Sequence, residues 1–326
     1  MPTITSVRPL RAVEGGRITI LGSGLPVSNL SNPSLGDVPA RVSFASTRRL
    51  VINIPHELES TGRLALKIPG AMLETMYVSV GARWATGLHQ VDNPVFDNGG
   101  NLFVTYSGSR GQEAPVSVFK VTRSGAREPF ASGIVNATSL AFGPDRRLYV
   151  SSRFEGSVYR VNGDGTHEQV AGDLGVACGI AFDADGGMYV GDRSGTVFRV
   201  RDGRAVPFAT IPPSVAAFHL AMSASQELFI TAPTLSAYDH VYRVGRDGVV
   251  QTLRSPLGRP QGLAFGPDGG LYVVDALAGG SGVFRFADLD GEPELVVSGA
   301  GLVGIAFGPG GEMVVTSNET AYRFEG

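Results

Sequence analysis

One phrase, repeated along the chain, limits what this sequence can fold into. TSLAFGPDRRLYV at 138–150 returns as CGIAFDADGGMYV at 178–190, FHLAMSASQELFI at 218–230, QGLAFGPDGGLYV at 261–273 and VGIAFGPGGEMVV at 303–315. A weaker copy, DNPVFDNGGNLFV, covers 92–104. Aligned on one apolar position, the copies place Phe96, Phe142, Phe182, Met222, Phe265 and Phe307 at spacings of 46, 40, 40, 43 and 42 residues. A period of this length, built from strand signals, predicts a β-propeller of six four-stranded blades over residues 81–326.

Each copy reads as one blade. A short apolar run such as GLAF suits an innermost strand buried on both sides, and the Gly/Pro/Asp turn after it makes a hairpin. An alternating strand such as LYVVD follows, then a third (VFKV, VYRV, VFRV, VYRV, VFRF, AYRF) whose apolar and basic residues alternate as on a half-exposed strand. The last copy ends at Gly326 without a fourth strand, while ARWATGL at 82–88 matches EPFASGI at 128–134. The expectation is therefore that 82–88 closes the last blade, with Trp84 as an outer-strand anchor. An unclosed edge would invite aggregation.

Composition agrees with an all-β chain. The 45 glycines and 20 prolines show no collagen-like period and mark many tight turns. Residues 1–80 carry a net +3 and residues 81–326 a net −6. The acidic larger part argues against nucleic acid as a partner. Cys178 is the only cysteine, which excludes an intrachain disulfide or cysteine cluster. It sits in an apolar strand with nothing basic beside it, as a buried small hydrophobe does. The N-terminal residues lack the pattern of a signal peptide, and no run is long and apolar enough for a transmembrane helix. The default expectation is a cytoplasmic protein without membrane insertion, or an extracellular one if an export signal has been removed.

Residues 2–80 alternate strand-like runs (RITILG, RVSFA, LVINIP, RLALKI, MYVSV) with turn residues, the pattern of a small β-sandwich. The phrase SVRP…GGRITILGSGL resembles the TIG family of immunoglobulin-like domains. That resemblance implies a spacer or adhesive module over 1–80. The basic recognition loops of the relatives that bind DNA are not found here.

In a propeller, ligands gather where the innermost strands begin and the loops between second and third strands converge. Alignment places Asp92, Thr138, Cys178, Phe218, Gln261 and Val303 around that mouth, with Asn93, Ser139, Gly179, His219, Gly262 and Gly304 one step further. The glycines give the strands room to crowd the axis. The repeats resemble NHL repeats, best in PQGLAFGPDGGLYVVD, and more loosely the gluconolactonase-like lactonases. That second resemblance implies a divalent cation such as calcium, held by a Glu, an Asn and an Asp at positions matching Asp92, Phe218 and Gln261. Only Asp92 keeps a carboxylate there. Asp92 and Asn93 are the candidate metal ligands, and Asp92 and His219 the candidate catalytic groups. The alternative for His219 is a histidine hydrogen-bonded within the channel wall.

The loops after the second strands add Tyr106, Arg153, Asp192, Arg193, Tyr238, Asp239, His240, Asp275 and Asn318. Arg153 and Arg193 hold equivalent positions in neighbouring repeats, so both should project at one face and could clamp an acidic group. The alternative pairs them with Glu155 and Asp192 in solvent. Asp192 and Asp275 close the YVxD pattern as turn caps. No nucleophile elbow, phosphate loop, HExxH or dinucleotide fingerprint occurs. The sequence thus favours a binding or scaffolding protein for a small acid, glycan, peptide or partner protein, using Asp92, Asn93, Tyr106, Arg153, Arg193, His219 and Gln261. The alternative is a lactonase-type hydrolase with a rebuilt site of Asp92, Asn93, His219 and Gln261.

Overall fold

The computed structural model describes residues 2–27, 33–56, 58, 61–69, 76–277 and 280–325. They form strands, turns and loops only, and no helix is long and apolar enough to cross a membrane. The all-β expectation holds.

From residue 95 onward the strands pair in consecutive antiparallel fours, spanning 95–131, 137–171, 177–210, 219–252 and 260–298. The last set, Leu302–Phe307, Met313–Ser317 and Thr320–Phe324, takes its fourth strand from Ala82–Thr86, which pairs with 320–324. Each innermost strand touches those of the sheets before and after it, the first against the last, so the sheets form a closed ring.

The anchor residue of the repeat now has a physical role. Phe142, Phe182, Phe265 and Phe307 each meet, edge to ring, an aromatic on the second strand of the preceding sheet: Phe103, Tyr149, Phe229 and Tyr272, with centroids 5.5, 4.8, 5.2 and 4.8 Å apart. Such pairs stabilise by about 0.5–1.5 kcal/mol beyond the area they bury. Phe96, next to the closing strand, stacks on Trp84 at 5.9 Å. The basic residues of the third strands reach the turn acids, as in Arg199–Asp183 at 2.8 Å, Arg243–Glu227 at 2.6 Å and Arg285–Asp268 at 2.6 Å. Those turn acids are therefore occupied, with no part in a site.

The first eighty residues build two sheets around one apolar core of Ile18, Ile20, Leu35, Leu50, Ile52, Leu66 and Val78. One sheet comprises Thr3–Arg8, Arg17–Ser23, Arg49–Asn53 and Val42–Ala45. The other does not stop at its own edge. Arg11–Ala12 pairs in parallel both with Met76–Val80 and with Glu294–Ser298, so a nine-stranded sheet runs out of the ring into this region. Val13 lies in a core cluster of the ring with Val274, Val283 and Val297. Ser298 accepts from Val13 N at 2.9 Å and, through Oγ, from Arg17 N at 2.7 Å.

Glu14 braces the same junction. It accepts from Arg83 Nε at 3.0 Å and from Tyr322 Oη at 2.5 Å, with His56 Nδ1 3.7 Å away. Burial pushes its carboxyl pKa up, but hydrogen bonds from Arg83 and Tyr322 outweigh that and hold it below the ordinary value. A carboxylate with a depressed native pKa stabilises above its unfolded pKa, and the contribution disappears as pH falls through the native value. Glu14→Gln should therefore cost about 1 kcal/mol at pH 7, and the gap to the parent should close below the ordinary carboxylate range. Urea midpoints at pH 7 and pH 3 check this; a gap that persists in acid would contradict it.

Candidate functional site

Two candidates from the channel ring meet at the axis. Asp92 comes from the loop before the first inner strand, and His219 begins the inner strand of the fourth sheet. His219 Nδ1 hydrogen-bonds Asp92 Oδ1. Both are sealed, at 2 % and 0 % exposure. A carboxylate oxygen accepts, so Nδ1 is the donor of this hydrogen bond. Nε2 is buried without a partner. Asp92 Oδ1 also accepts from Asn93 N at 2.6 Å, and Gln90 Nε2 donates to Asp92 O at 2.6 Å. Neither side chain is therefore open to a ligand at the channel mouth. Beyond the level of Asn93 a shallow well of about 400 Å³ is lined by the apolar inner strands of every sheet in the ring.

Asn93 is placed differently from its expected role as a ligand. Its Nδ2 donates to Leu263 O at 2.8 Å and its Oδ1 accepts from Ile305 N at 3.0 Å. Both ends of the amide therefore staple backbone of the fifth and sixth sheets. Two glycines make room for this: a Cβ at Gly262 would strike Asn93 Oδ1, and one at Gly304 would lie 2.5 Å from Asp92 O. Gln261 is 8 % exposed, and among the described residues its side chain makes one long hydrogen bond, 3.5 Å to Arg259 O. Phe218 is fully buried in an apolar cluster. Cys178 is buried too, and burial pushes its thiol pKa up to about 12.

These residues do not fit a divalent cation. A hard ion needs several oxygen donors with enough negative charge. Here the one carboxylate is engaged by His219, Asn93 spends its oxygen on Ile305 N, and a phenyl ring stands at a third position. No group of three His, Cys, Asp or Glu side chains suited to a metal occurs among the described residues.

The two arginines expected at one face are brought together, off the axis. Arg153 and Arg193 line a cleft of about 650 Å³ over the second and third sheets, with Asn136, Phe154, Val176 and Arg110. Loops before the inner strands and after the second strands form its walls. Among the described residues none of the three guanidinium groups has a carboxylate within ion-pair distance. The alternative partners are occupied elsewhere: Glu155 accepts from Tyr159 Oη at 3.1 Å, and Asp192 from Val176 N at 2.8 Å and from Ser194. Burial, with the like charges of Arg193 and Arg110 adding to it, lowers the Arg153 pKa from its ordinary value. Burial and Arg153 likewise lower that of His89.

Arg110 and His89 were not among the sequence candidates. Tyr106 rests edge to ring on His89 at 5.9 Å and does not line the cleft. Asp275 accepts from Gly258 N at 2.8 Å and Arg259 N at 2.7 Å, so it braces the loop entering its own sheet as well as its own turn, where Leu277 N donates at 3.0 Å. Asn318 Nδ2 donates to Gln90 O at 2.8 Å, Asp239 accepts from Thr234, and His240 Nδ1 meets Leu253 O at 3.0 Å. Tyr238 is 64 % exposed.

No protein-family model matches the sequence, and no curated protein matches it. Solved structures share its architecture. A gluconolactonase from Xanthomonas campestris superposes with a TM-score of 0.61 at 15 % identity, covering 91 % of this chain and 98 % of that one. An auxiliary nutrient binding protein from Bacteroides ovatus gives 0.55 at 14 %, covering 99 % and 97 %. Virginiamycin B lyase from Staphylococcus aureus gives 0.53 at 14 %, covering 73 % and 84 %. The fold is a β-propeller. At such identities the likeness carries architecture and no activity.

Proposed function

We propose that residues 1–80 form an immunoglobulin-like sandwich of the TIG type and residues 81–326 a six-bladed, NHL-like β-propeller that binds a small acidic ligand. The ligand site is the off-axis cleft, with Arg153 and Arg193 as a carboxylate clamp and Arg110 as a third donor. One observation carries this reading: three guanidinium groups line one partly buried cleft, and among the described residues no carboxylate lies within ion-pair distance of them. Like charges held together disfavour one another unless a counter-charge arrives. Phe154, 54 % exposed, and Val176 offer apolar surface to the body of the same molecule. The nutrient-binding and gluconolactonase neighbours are compatible with a small-molecule ligand, and the sealed Asp92–His219 pair speaks against hydrolysis at the channel mouth.

The test is a titration of citrate, glucuronate and related small acids against the protein and its Arg153→Ala/Arg193→Ala variant. Charge-assisted hydrogen bonds contribute about 1.5–3 kcal/mol each, so the double variant should bind roughly 100-fold more weakly or worse. Equal affinity in the two proteins, or no binding of any acid to the parent, would end the proposal.

A further inference from the structure

A second group of uncompensated guanidiniums lies where the N-terminal sheet faces the flank of the ring. Alternation along the strands puts Ile18, Ile20, Leu50 and Ile52 in the core and turns Arg17, Thr19, Arg49, Val51 and Asn53 outward. Pairing sets Arg8 opposite Thr19, and Phe44 opposite Val51. This outward face and the 298–301 turn of the ring enclose a cleft of about 630 Å³ that includes Arg8, Arg17, Arg49, Phe44 and Asn53. None of the three arginines has a carboxylate within ion-pair distance among the described residues. The nearby acid, Glu14, is taken by Arg83 and Tyr322.

Two features of the cleft define a ligand. The guanidiniums ask for carboxylate or sulfate. Phe44 is 49 % exposed, and the Arg49 guanidinium carbon lies 5.4 Å from its ring centroid. That makes a flat apolar platform edged by positive charge. An anionic group and an apolar ring face occur together in an acidic sugar.

We infer that this junction cleft is a binding site for an acidic saccharide chain, so that the N-terminal sandwich shares in recognition instead of only spacing. The site uses residues separate from the Arg110–Arg153–Arg193 cleft and does not depend on the reading given to it.

Calorimetric titration of the full chain with four probes tests this: an oligogalacturonate, a heparin-derived oligosaccharide, a neutral galactose oligomer and inorganic sulfate. The acidic arms separate a carboxylate from a sulfate ligand. One or both should bind and the neutral oligomer should not. Arg17→Ala/Arg49→Ala should weaken that binding at least ~10-fold, while Arg153→Ala/Arg193→Ala leaves it unchanged. Phe44→Ala, at an exposed position, should weaken it with an unaltered melting temperature, which separates lost contact from lost folding. The inference is overturned if neither acidic oligosaccharide binds or if the cleft variants bind like the parent. It is equally overturned if sulfate alone binds as tightly as the oligosaccharide, or if only the Arg153/Arg193 variant loses binding.

Discussion

His219→Ala is expected to cost about 3–5 kcal/mol of folding stability, the usual penalty for leaving a buried acidic group without its hydrogen-bonded partner. The imidazole is fully buried and its Nδ1 faces Asp92, which is itself 2 % exposed. Truncation leaves the carboxylate in the middle of the ring with a single backbone donor, Asn93 N. The double replacement Asp92→Leu/His219→Leu should recover much of the loss, because apolar groups of similar volume often match or exceed a buried pair in stability. Denaturant midpoints for the two single variants and the double variant complete the cycle. A single-variant loss below about 1 kcal/mol would mean that the carboxylate finds water once the imidazole is gone.

The closing strand makes the second large prediction. Ala85 and Leu88 are 6 % and 4 % exposed and share a cluster with Leu102, Val104, Val314 and Ala321, while Trp84 packs at its margin. A chain beginning at residue 89 loses these contacts and bares the strand at 320–324 as an open edge. The loss should be on the order of 5 kcal/mol or more, from one tryptophan and one leucine side chain alone, and the open edge should drive association. A chain beginning at residue 81 keeps the strand and should fold, although it forfeits Val13 and Glu14 at the junction. Sedimentation and thermal unfolding of the two chains compare them directly. Equal solubility and equal melting temperature would show that the ring does not need the strand.

Much of this arrangement was legible because its causes are local. The repeated phrase carries its own strand, turn and strand chemistry, and ARWATGL could be matched to EPFASGI by eye. Equivalent positions in adjacent repeats foretold that Arg153 and Arg193 share a face. The contact between Asp92 and His219 could not be read, since it joins residues 127 apart across the axis. Arg110 escaped notice because it lies in a loop of the first sheet with no counterpart in the other repeats. Asn93 looked like a ligand from its position alone, and only coordinates reveal that two backbone groups consume its amide. The continuity of sheet at Ala12 and Ser298 is backbone pairing over a single register position, and it leaves no mark in side-chain pattern.

That continuity decides which way the molecule faces its surroundings. The N-terminal region pairs with the fifth sheet and braces the sixth through Glu14, whereas the arginine cleft sits over the second and third. Among the described residues none of the N-terminal region lines the cleft. A bulky molecule bearing the proposed acidic group would therefore meet loops of the ring at that cleft.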